Sequence, residues 1–129
     1  MKKRDILEFL ENNGIDEVEE ISSKNKMYVI KFFYEFDEDE LKAARGYAND
    51  ESDDEENGDK WTRDYYIPYL NDIASDNVNE IIEEITDELE INAQYISYDF
   101  DEEEEKCEYI GVFSTEDFEI EEVLEELDI

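Results

Sequence analysis

Carboxylates are almost the only side chains in this sequence that could do chemistry. The 129 residues include 43 Asp and Glu, 11 Lys and Arg, a single Cys and no His. Paired carboxylates act as acid and base in glycosidases and hold the metals of two-metal nucleases. Among so many carboxylates such pairs arise by chance, and no pair is distinguished by its spacing. We therefore expect a protein that is not an enzyme and that needs no cofactor.

Cys107 is the one candidate for a catalytic thiol. Such a thiol needs a base or another source of thiolate stabilisation, and no His is present to supply it. Cys107 begins a strand-like run among acidic neighbours, which disfavour the thiolate, so the sequence predicts a core or strand position. A single Cys allows no intramolecular disulfide. Since no apolar run approaches the roughly 20 residues of a membrane span, we expect a cytoplasmic protein.

The loop at residues 53–64 has part of the spacing of a calcium-binding EF-hand, with Gly58 at the sixth position. Oxygen-bearing side chains fall at the first, third and fifth positions: Asp53, Glu55 and Asn57. The match fails at Lys60, where an aliphatic residue is usual, and at Asp64, which is too short for the usual bidentate Glu. We therefore predict no specific metal site, and weak, nonspecific binding of divalent cations stays open as an alternative.

Negative charge dominates the chain and narrows the choice of partner. The formal net charge is −32, and residues 47–129 contain 31 acidic residues against three basic ones, Lys60, Arg63 and Lys106. A surface this negative repels nucleic acid and anionic membranes and attracts basic proteins or cations. We therefore expect a basic protein as the partner, with a nucleic-acid-binding protein as the leading case. The oligomeric state stays open.

Five consecutive carboxylates at residues 101–105 separate two strand-like runs and predict the tip of a hairpin. This tip has two interpretations: a solvated turn that discourages edge-to-edge pairing, or a negative prong that inserts into a basic groove. The candidate partner-binding residues comprise this tip and the outer faces of two predicted C-terminal helices: Asp101, Glu102, Glu103, Glu104, Glu105, Glu80, Glu84, Asp87, Glu122 and Glu126.

The acidic helix faces suggest a role beyond stability. Like charges four residues apart, such as Glu80 and Glu84, cost a helix a few tenths of a kcal/mol per pair, and exposed faces normally mix signs. DNA carries one phosphate per roughly 1.7 Å of its axis, a density that carboxylates along a helix face can approach. The hypothesis is a nucleic-acid mimic that blocks a basic DNA- or RNA-binding surface. The alternative is an interaction or accessory module whose charge serves solubility and steering.

The pattern of apolar residues predicts a folded α+β domain, because 40% of the chain is hydrophobic and 13% is aromatic. The predicted order is α-β-β-α-α-α-β-β-α, with helices on one antiparallel sheet of about four strands. Helices are expected at residues 3–12, 38–48, 61–73, 76–89 and 116–127, and strands at 18–22, 27–36, 95–100 and 107–113. Asp37, Ser75 or Asp76, and Ser114 or Thr115 are the expected caps. We expect a single domain over residues 1–129 with a mobile acidic loop at 50–60 and a turn at 23–26.

Two segments, FYEFDEDELKAARGYA at residues 33–48 and DYYIPYLNDIASDNVNEIIEEI at residues 64–85, resemble small acidic proteins encoded on clostridial conjugative transposons. They make up about a third of the chain and contain no functional motif. Such elements often encode antirestriction and anti-CRISPR proteins, several of which look like DNA mimics. The resemblance therefore implies a protein of a mobile genetic element and favours mimicry, but it transfers no functional residues.

Overall fold

Four antiparallel strands form the sheet on which the domain is built. The computed structural model describes residues 3–15, 17–24 and 26–128. The strands in chain order are β1 (Val18–Lys24), β2 (Met27–Glu35), β3 (Asn92–Asp101) and β4 (Lys106–Ser114). Their order across the sheet is β1-β2-β4-β3, and all neighbours pair antiparallel. The second strand of each hairpin therefore lies in the middle of the sheet, while β1 and β3 form its edges.

Four α-helices accompany this sheet among the described residues. They are α1 (Lys3–Asn12), α2 (Glu38–Glu51), α3 (Ile67–Leu89) and α4 (Ile120–Glu126). The predicted α+β class with one antiparallel sheet is confirmed. The order α-β-β-α-α-β-β-α has one helix fewer than predicted.

The boundary predicted between helices at residues 61–73 and 76–89 does not exist, because α3 continues through it. A π-helical segment, Trp61–Tyr66, runs directly into α3, and Pro68, which cannot donate a backbone hydrogen bond, lies in the first turn of α3 next to this segment. The prediction that Ser75 or Asp76 caps a separate helix is wrong, because both lie within α3. The buried stripe continues through this region without a break: Leu70, Ala74, Val78, Ile82 and Ile85.

The main core lies between α1 and α3 and one face of the sheet. Ile30 and Phe32 of β2 are buried there, as the alternation along this strand predicts. The neighbouring strand contributes Tyr109 and Phe113 on either side of Gly111, where a Cβ would lie 2.9 Å from the Phe113 ring. Gly111 therefore makes room for the rings, since real Cβ atoms are not found so close to another heavy atom.

The opposite face of the sheet is covered in part by α4. Val29 of β2 and Val112 of β4 pack against Ile120 and Leu124 of this helix. Strand side chains alternate between the two faces, so α3 and α4 lie on opposite sides of the sheet. This arrangement determines which acidic residues a single partner can contact.

The start of α4 is determined by a neighbouring strand. The prediction that Ser114 or Thr115 caps this helix is wrong, because α4 begins at Ile120. The side chain of Gln94 in β3 supplies the partner: the Ile120 N–H donates to its Oε1 at 3.1 Å, and its Nε2 donates to the Phe118 carbonyl at 2.9 Å. The Ser114 hydroxyl instead accepts a bond from the Glu116 N–H within the connecting turn.

The start of α2 follows the sequence prediction. Asp37 Oδ1 accepts a hydrogen bond from the Glu40 N–H at 2.8 Å, and Glu40 Oε1 accepts one from the Asp37 N–H at 3.0 Å. Ala44 and Ala48 are buried against the start of α3, as predicted. The spacing of the apolar residues in this helix predicts a buried stripe of Leu41, Ala44, Tyr47 and Ala48; for Tyr47 this prediction is wrong, because 42% of the residue is exposed.

The two hairpin turns differ in length. The turn expected at residues 23–26 is shorter than predicted, since β1 includes Ser23 and Lys24, and Asn25 lies outside the described residues. The hairpin expected around residues 101–106 is confirmed, with Asp101 paired to Lys106 at the last step of the ladder.

Candidate functional site

An unbroken row of carboxylates runs along the outer face of α3. We call it the acidic ridge, and its members are Asp72, Asp76, Glu80, Glu83 and Asp87. All five are exposed. At about 100° per residue they fall within an arc of about 80° centred opposite the buried stripe of the helix. The ridge is therefore the part of α3 that points most directly away from the sheet.

The spacing of charge along α3 resembles that along a nucleic-acid strand. The helix has seven acidic residues between positions 72 and 88 and no Lys or Arg. These positions span about 24 Å at 1.5 Å per residue, so one carboxylate occurs per about 4 Å. A single strand of DNA carries one charge per about 3.4 Å. The helix thus presents negative charge at nearly the linear density of one strand.

The electrostatic influence of the ridge reaches into the neighbouring strand. Tyr95 of β3 is partly buried beside α3, and its hydroxyl donates a 3.4 Å hydrogen bond to Asn79 Oδ1. Burial raises the pKa of Tyr95, and the carboxylates of Glu83 and Asp76 raise it further. The phenol therefore reports the negative potential around this helix.

The sequence predictions for α3 match this surface in part. Glu80 and Asp87 lie on the ridge, whereas Glu84 lies on its flank; Glu84 and Asp87 both line a shallow groove with Phe9 of α1 and Asn13 just after it. Asp72 and Asp76 were not predicted, because a helix break was expected at residues 75–76. A continuous α3 turns these two residues into the first members of the ridge.

The hairpin tip at residues 101–105 has two parts with different environments. Glu102, Glu103 and Glu104 are exposed. Asp101 instead shapes the turn, since its Oδ1 accepts hydrogen bonds from the N–H groups of Glu103 and Glu104, each at 3.0 Å. Three of the five predicted tip carboxylates are therefore free to meet a partner.

Glu105, the fifth, turns inward at the base of the tip. Its carboxylate accepts a hydrogen bond from the Tyr66 hydroxyl. Arg45 of α2 bonds to the same phenol, and that bond, together with Glu105 and other nearby charges, raises the pKa of the guanidinium. Lys106 follows, paired with Glu17 at 2.8 Å and lying 4.5 Å from the centre of the Phe33 ring. The base of the tip thus has mixed charge.

The predicted partner-binding residues lie on two different sides of the domain. Glu122 and Glu126 are exposed on the outer side of α4, which covers the sheet face opposite α3. The tip lies beside the start of α3 through the contact of Glu105 with Tyr66, and Asp87 lies about 32 Å further along the helix axis. The tip and the ridge can therefore belong to one extended surface, whereas Glu122 and Glu126 form a separate one.

The acidic loop after α2 is organised around Asp54. The Asp54 carboxylate accepts hydrogen bonds from the N–H groups of Glu55 at 2.9 Å and Lys60 at 3.2 Å, and these backbone bonds hold its pKa below the usual value. A Cβ at Gly58 would clash with this carboxylate. The mobility expected for residues 50–60 stays a prediction. Within the described residues, no group of three or more His, Cys, Asp or Glu side chains is arranged to hold a metal ion.

Cys107 lies in the core as predicted. Cys107 is fully buried in β4, and its thiol donates a hydrogen bond to Asn71 Oδ1 of α3 at 3.3 Å. Burial raises the pKa of this thiol to about 12. The buried hydroxyl of Tyr109 on the same strand has no hydrogen-bond partner among the described residues. Burial outweighs the smaller, opposite effect of this hydroxyl on the pKa of the thiol, so the neutral thiol is stabilised, the opposite of what a nucleophile requires.

Three tyrosines form a surface cluster that the sequence analysis did not single out. We call it the tyrosine patch, and its members are Tyr47, Tyr65 and Tyr69. The ring of Tyr47 stacks on that of Tyr69 at 4.9 Å between centroids and lies 6.3 Å from that of Tyr65. The four-residue spacing of Tyr65 and Tyr69 indicates that both lie on one side of a helix. The spacing of apolar residues in α2, however, predicts that Tyr47 is buried, so the sequence does not predict the cluster.

No protein-family model, curated protein or solved structure matches this chain. Among the helices that the structure describes, none is both long enough and apolar enough to cross a membrane.

Proposed function

We propose that this protein is a non-enzymatic acidic binding module that occupies a basic, nucleic-acid-binding surface of another protein. The observation that carries the proposal is the acidic ridge. The five ridge carboxylates repeat about every 6 Å, and with Glu84 and Glu88 beside them α3 carries one carboxylate per about 4 Å, close to the spacing of about 3.4 Å between the phosphates of one DNA strand. No basic residue of α3 interrupts this row. A mimic of the phosphate backbone needs this combination of density, sign and rigidity.

The physical basis is the replacement of one polyanion by another. A basic groove holds many anions from solution, and a rigid row of carboxylates releases them on binding, as phosphates do. The seven carboxylates of α3 span about 24 Å, the rise of about seven base pairs. The exposed carboxylates of the hairpin tip, Glu102, Glu103 and Glu104, extend the negative surface beyond the start of the helix.

The second candidate is an accessory module that binds a basic protein without blocking its nucleic acid. The tyrosine patch favours a protein partner of either kind, because Tyr side chains are enriched at the energetic centres of protein interfaces. Competition separates the two functions. A mimic and duplex DNA displace each other from the target, whereas an accessory partner binds alongside DNA.

The proposal is tested by capture from a host lysate on the immobilised protein with a salt gradient, followed by competition with duplex DNA. One variant neutralises four ridge residues: Asp72→Asn, Asp76→Asn, Glu80→Gln and Asp87→Asn. The matched control removes the same charge from α4: Glu121→Gln, Glu122→Gln, Glu125→Gln and Glu126→Gln. Both raise the net charge by four, so they have the same effect on long-range attraction.

The ridge variant should bind the captured protein more weakly, and its affinity should fall less steeply with salt. The α4 variant should stay close to wild type, and duplex DNA should release the captured protein. Equal effects of the two variants would mean that only net charge matters. Binding alongside DNA would support the accessory module instead.

A further inference from the structure

The tyrosine patch lies on the surface while its neighbours fill the core. Trp61 and Tyr66 stack at 4.8 Å and are buried between α2 and the sheet. Tyr47, by contrast, is 42% exposed. Among the described residues, the large apolar side chains that are more than a third exposed are Ile21, Tyr47 and Tyr98. Of these, Tyr47 has the partly buried rings of Tyr65 and Tyr69 against it, so its own ring is the most exposed one of the patch.

The patch is continuous with the acidic ridge. Tyr69 precedes Asp72 by three residues, and at about 100° per residue its direction falls within the arc of the ridge. On α2, Asp50 and Glu51 follow Tyr47 by three and four residues and therefore lie beside it on the helix surface. The three carboxylates are exposed. The aromatic faces thus lie at one end of a row of negative charge.

This combination selects one kind of occupant. The net charge of −32 repels nucleic acid and also a second copy of the chain. A cation attracted by the carboxylates meets the negative faces of the tyrosine rings. Guanidinium suits such a site better than ammonium, because it is planar, weakly hydrated and stacks on aromatic rings while it bonds to carboxylates.

We propose that the tyrosine patch is the docking site for an arginine side chain of the basic partner, with the guanidinium stacked on the exposed ring of Tyr47, which Tyr69 supports from its other side, and paired with Asp72, Asp50 or Glu51. This inference rests on the proposed function, since it names the chemistry with which the partner is anchored. It adds an aromatic contact, specific for arginine, to a surface that is otherwise electrostatic.

The test uses two short labelled peptides of equal length and charge, one built from Arg and Gly and the other from Lys and Gly. Their Kd values are measured with wild type and with Tyr47→Leu, which keeps an apolar side chain but removes the ring. Tyr47→Phe keeps the ring and removes the hydroxyl. Tyr98→Leu is the matched control, because Tyr98 is 53% exposed on β3, outside the patch.

Wild type, Tyr47→Phe and Tyr98→Leu should all prefer the arginine peptide, and Tyr47→Leu should reduce that preference by about threefold. In wild type the arginine peptide should also shift the ring-proton resonances of Tyr47 and Tyr69 more than the lysine peptide does. An unchanged preference in Tyr47→Leu, or resonances that do not distinguish the peptides, would overturn the proposal.

Two further outcomes separate this inference from its alternatives. If Tyr47 mediates a concentration-dependent dimer that Tyr47→Leu abolishes, the patch belongs to a second copy and the proposal is wrong. The role of the ridge is measured separately with a variant that neutralises Asp76, Glu80 and Asp87 but keeps Asp72, and this variant should weaken the binding of both peptides alike. If wild type shows no preference for the arginine peptide although the ridge variant binds both peptides more weakly, the patch alone is refuted. If wild type prefers the arginine peptide but the ridge variant binds both peptides as well as wild type does, the proposed function alone is refuted.

Discussion

The hydroxyl of Tyr66 donates a hydrogen bond to the carboxylate of Glu105, which lies 39 positions later in the sequence. This bond ties the π-helical segment before α3 to the base of the hairpin tip. Burial raises the pKa of Tyr66 to about 12, and the bond to Glu105 raises it as well, against the opposing effect of Arg45. Glu105 thus orients the tip relative to α3, and through it the exposed carboxylates relative to the ridge.

Replacing Tyr66 by Phe should lower the free energy of unfolding by about 2 kcal/mol. Tyr66 is only 8% exposed and the partner of its hydroxyl is a carboxylate, and hydrogen bonds to charged groups are worth about 1.5–3 kcal/mol. Urea denaturation followed by Trp61 fluorescence measures the change. Tyr98→Phe removes a hydroxyl from an exposed residue and should leave stability within about 0.5 kcal/mol. Equal midpoints for the two variants would contradict the structural role given to Glu105.

Replacing Gln94 by Met should loosen α4. Methionine matches the length of the side chain but makes neither the bond to the Ile120 N–H nor the bond to the Phe118 carbonyl. We expect a loss of about 1–3 kcal/mol, with faster hydrogen exchange in α4 than in α3.

Asn92→Ala is the matched control for Gln94. Its amide bonds to the same connection, to the Glu116 carbonyl at 3.2 Å and to Asp117, but at an exposed site. It should cost less than about 0.5 kcal/mol. If α4 exchanges at the same rate in both variants, Gln94 does not hold the helix.

Local signals in the sequence predicted the elements whose partners are local. The alternation along β2 placed Ile30 and Phe32 in the core, and the capping box of Asp37 and Glu40 marked the start of α2. Both patterns lie within a few residues, so the chain alone determines them. The order of the strands could not be read from the sequence, since pairing between β2 and β4 joins residues about 80 positions apart.

The predictions failed where a distant partner replaces the local one. Ser114 looks like a cap, but Gln94, 26 positions before Ile120, satisfies the start of α4 instead. Asp76 looks like a cap as well, but the buried stripe of α3 continues past it and the helix does not end. For this reason the acidic helix could be predicted from the sequence, but not the full length of the ridge. The tyrosine patch could not be predicted, because it forms only where Tyr47 of α2 packs against Tyr65 and Tyr69.

Alkaline pH should destabilise the protein through Cys107. Burial raises the pKa of this thiol to about 12 from the ordinary value of 9.0. Because the pKa of the Cys107 thiol is higher in the folded state, the unfolded chain releases this proton first as the pH rises. The contribution of the thiol to stability is therefore complete below pH about 9 and is lost between pH about 9 and about 12. In this window one group contributes a slope of up to about 1.4 kcal/mol per pH unit.

Comparison with Cys107→Ala isolates this contribution. The variant should be less stable than wild type at pH about 7.5 because of the cavity, but its stability should fall less steeply between pH about 8.5 and 10. Urea midpoints at several pH values measure both slopes. Burial also raises the pKa of Tyr66 and Tyr109 to about 12. These phenols change the free energy of unfolding only from pH about 10 upward, and they are present in wild type and in Cys107→Ala. Parallel curves below pH about 10 would show that the thiol is not protected.

Salt should stabilise the protein, and the ridge should be a main source of the effect. Its carboxylates repeat about every 6 Å along the helix. At 0.01 M NaCl the Debye length is about 30 Å, so they repel one another fully, whereas near 0.3 M it is about 5 Å and the repulsion is largely screened. The Tm should therefore rise between these two NaCl concentrations. The variant that neutralises Asp72, Asp76, Glu80 and Asp87 should show a smaller rise than the variant with the same charge removed from α4, whose helix is shorter.

Magnesium and calcium should raise the Tm further per mole than sodium, because divalent ions concentrate more strongly beside dense negative charge. Nonspecific binding predicts similar rises for the two ions, growing gradually with concentration and reduced by neutralising the ridge. Thermal melts across a titration of each ion measure this, with the ridge and α4 variants in parallel. A rise with calcium alone that saturates near one equivalent would instead reveal a specific site. Melts that do not respond to any salt would mean that the carboxylates of α3 do not repel one another, and the polyanionic surface that mimicry requires would be lost.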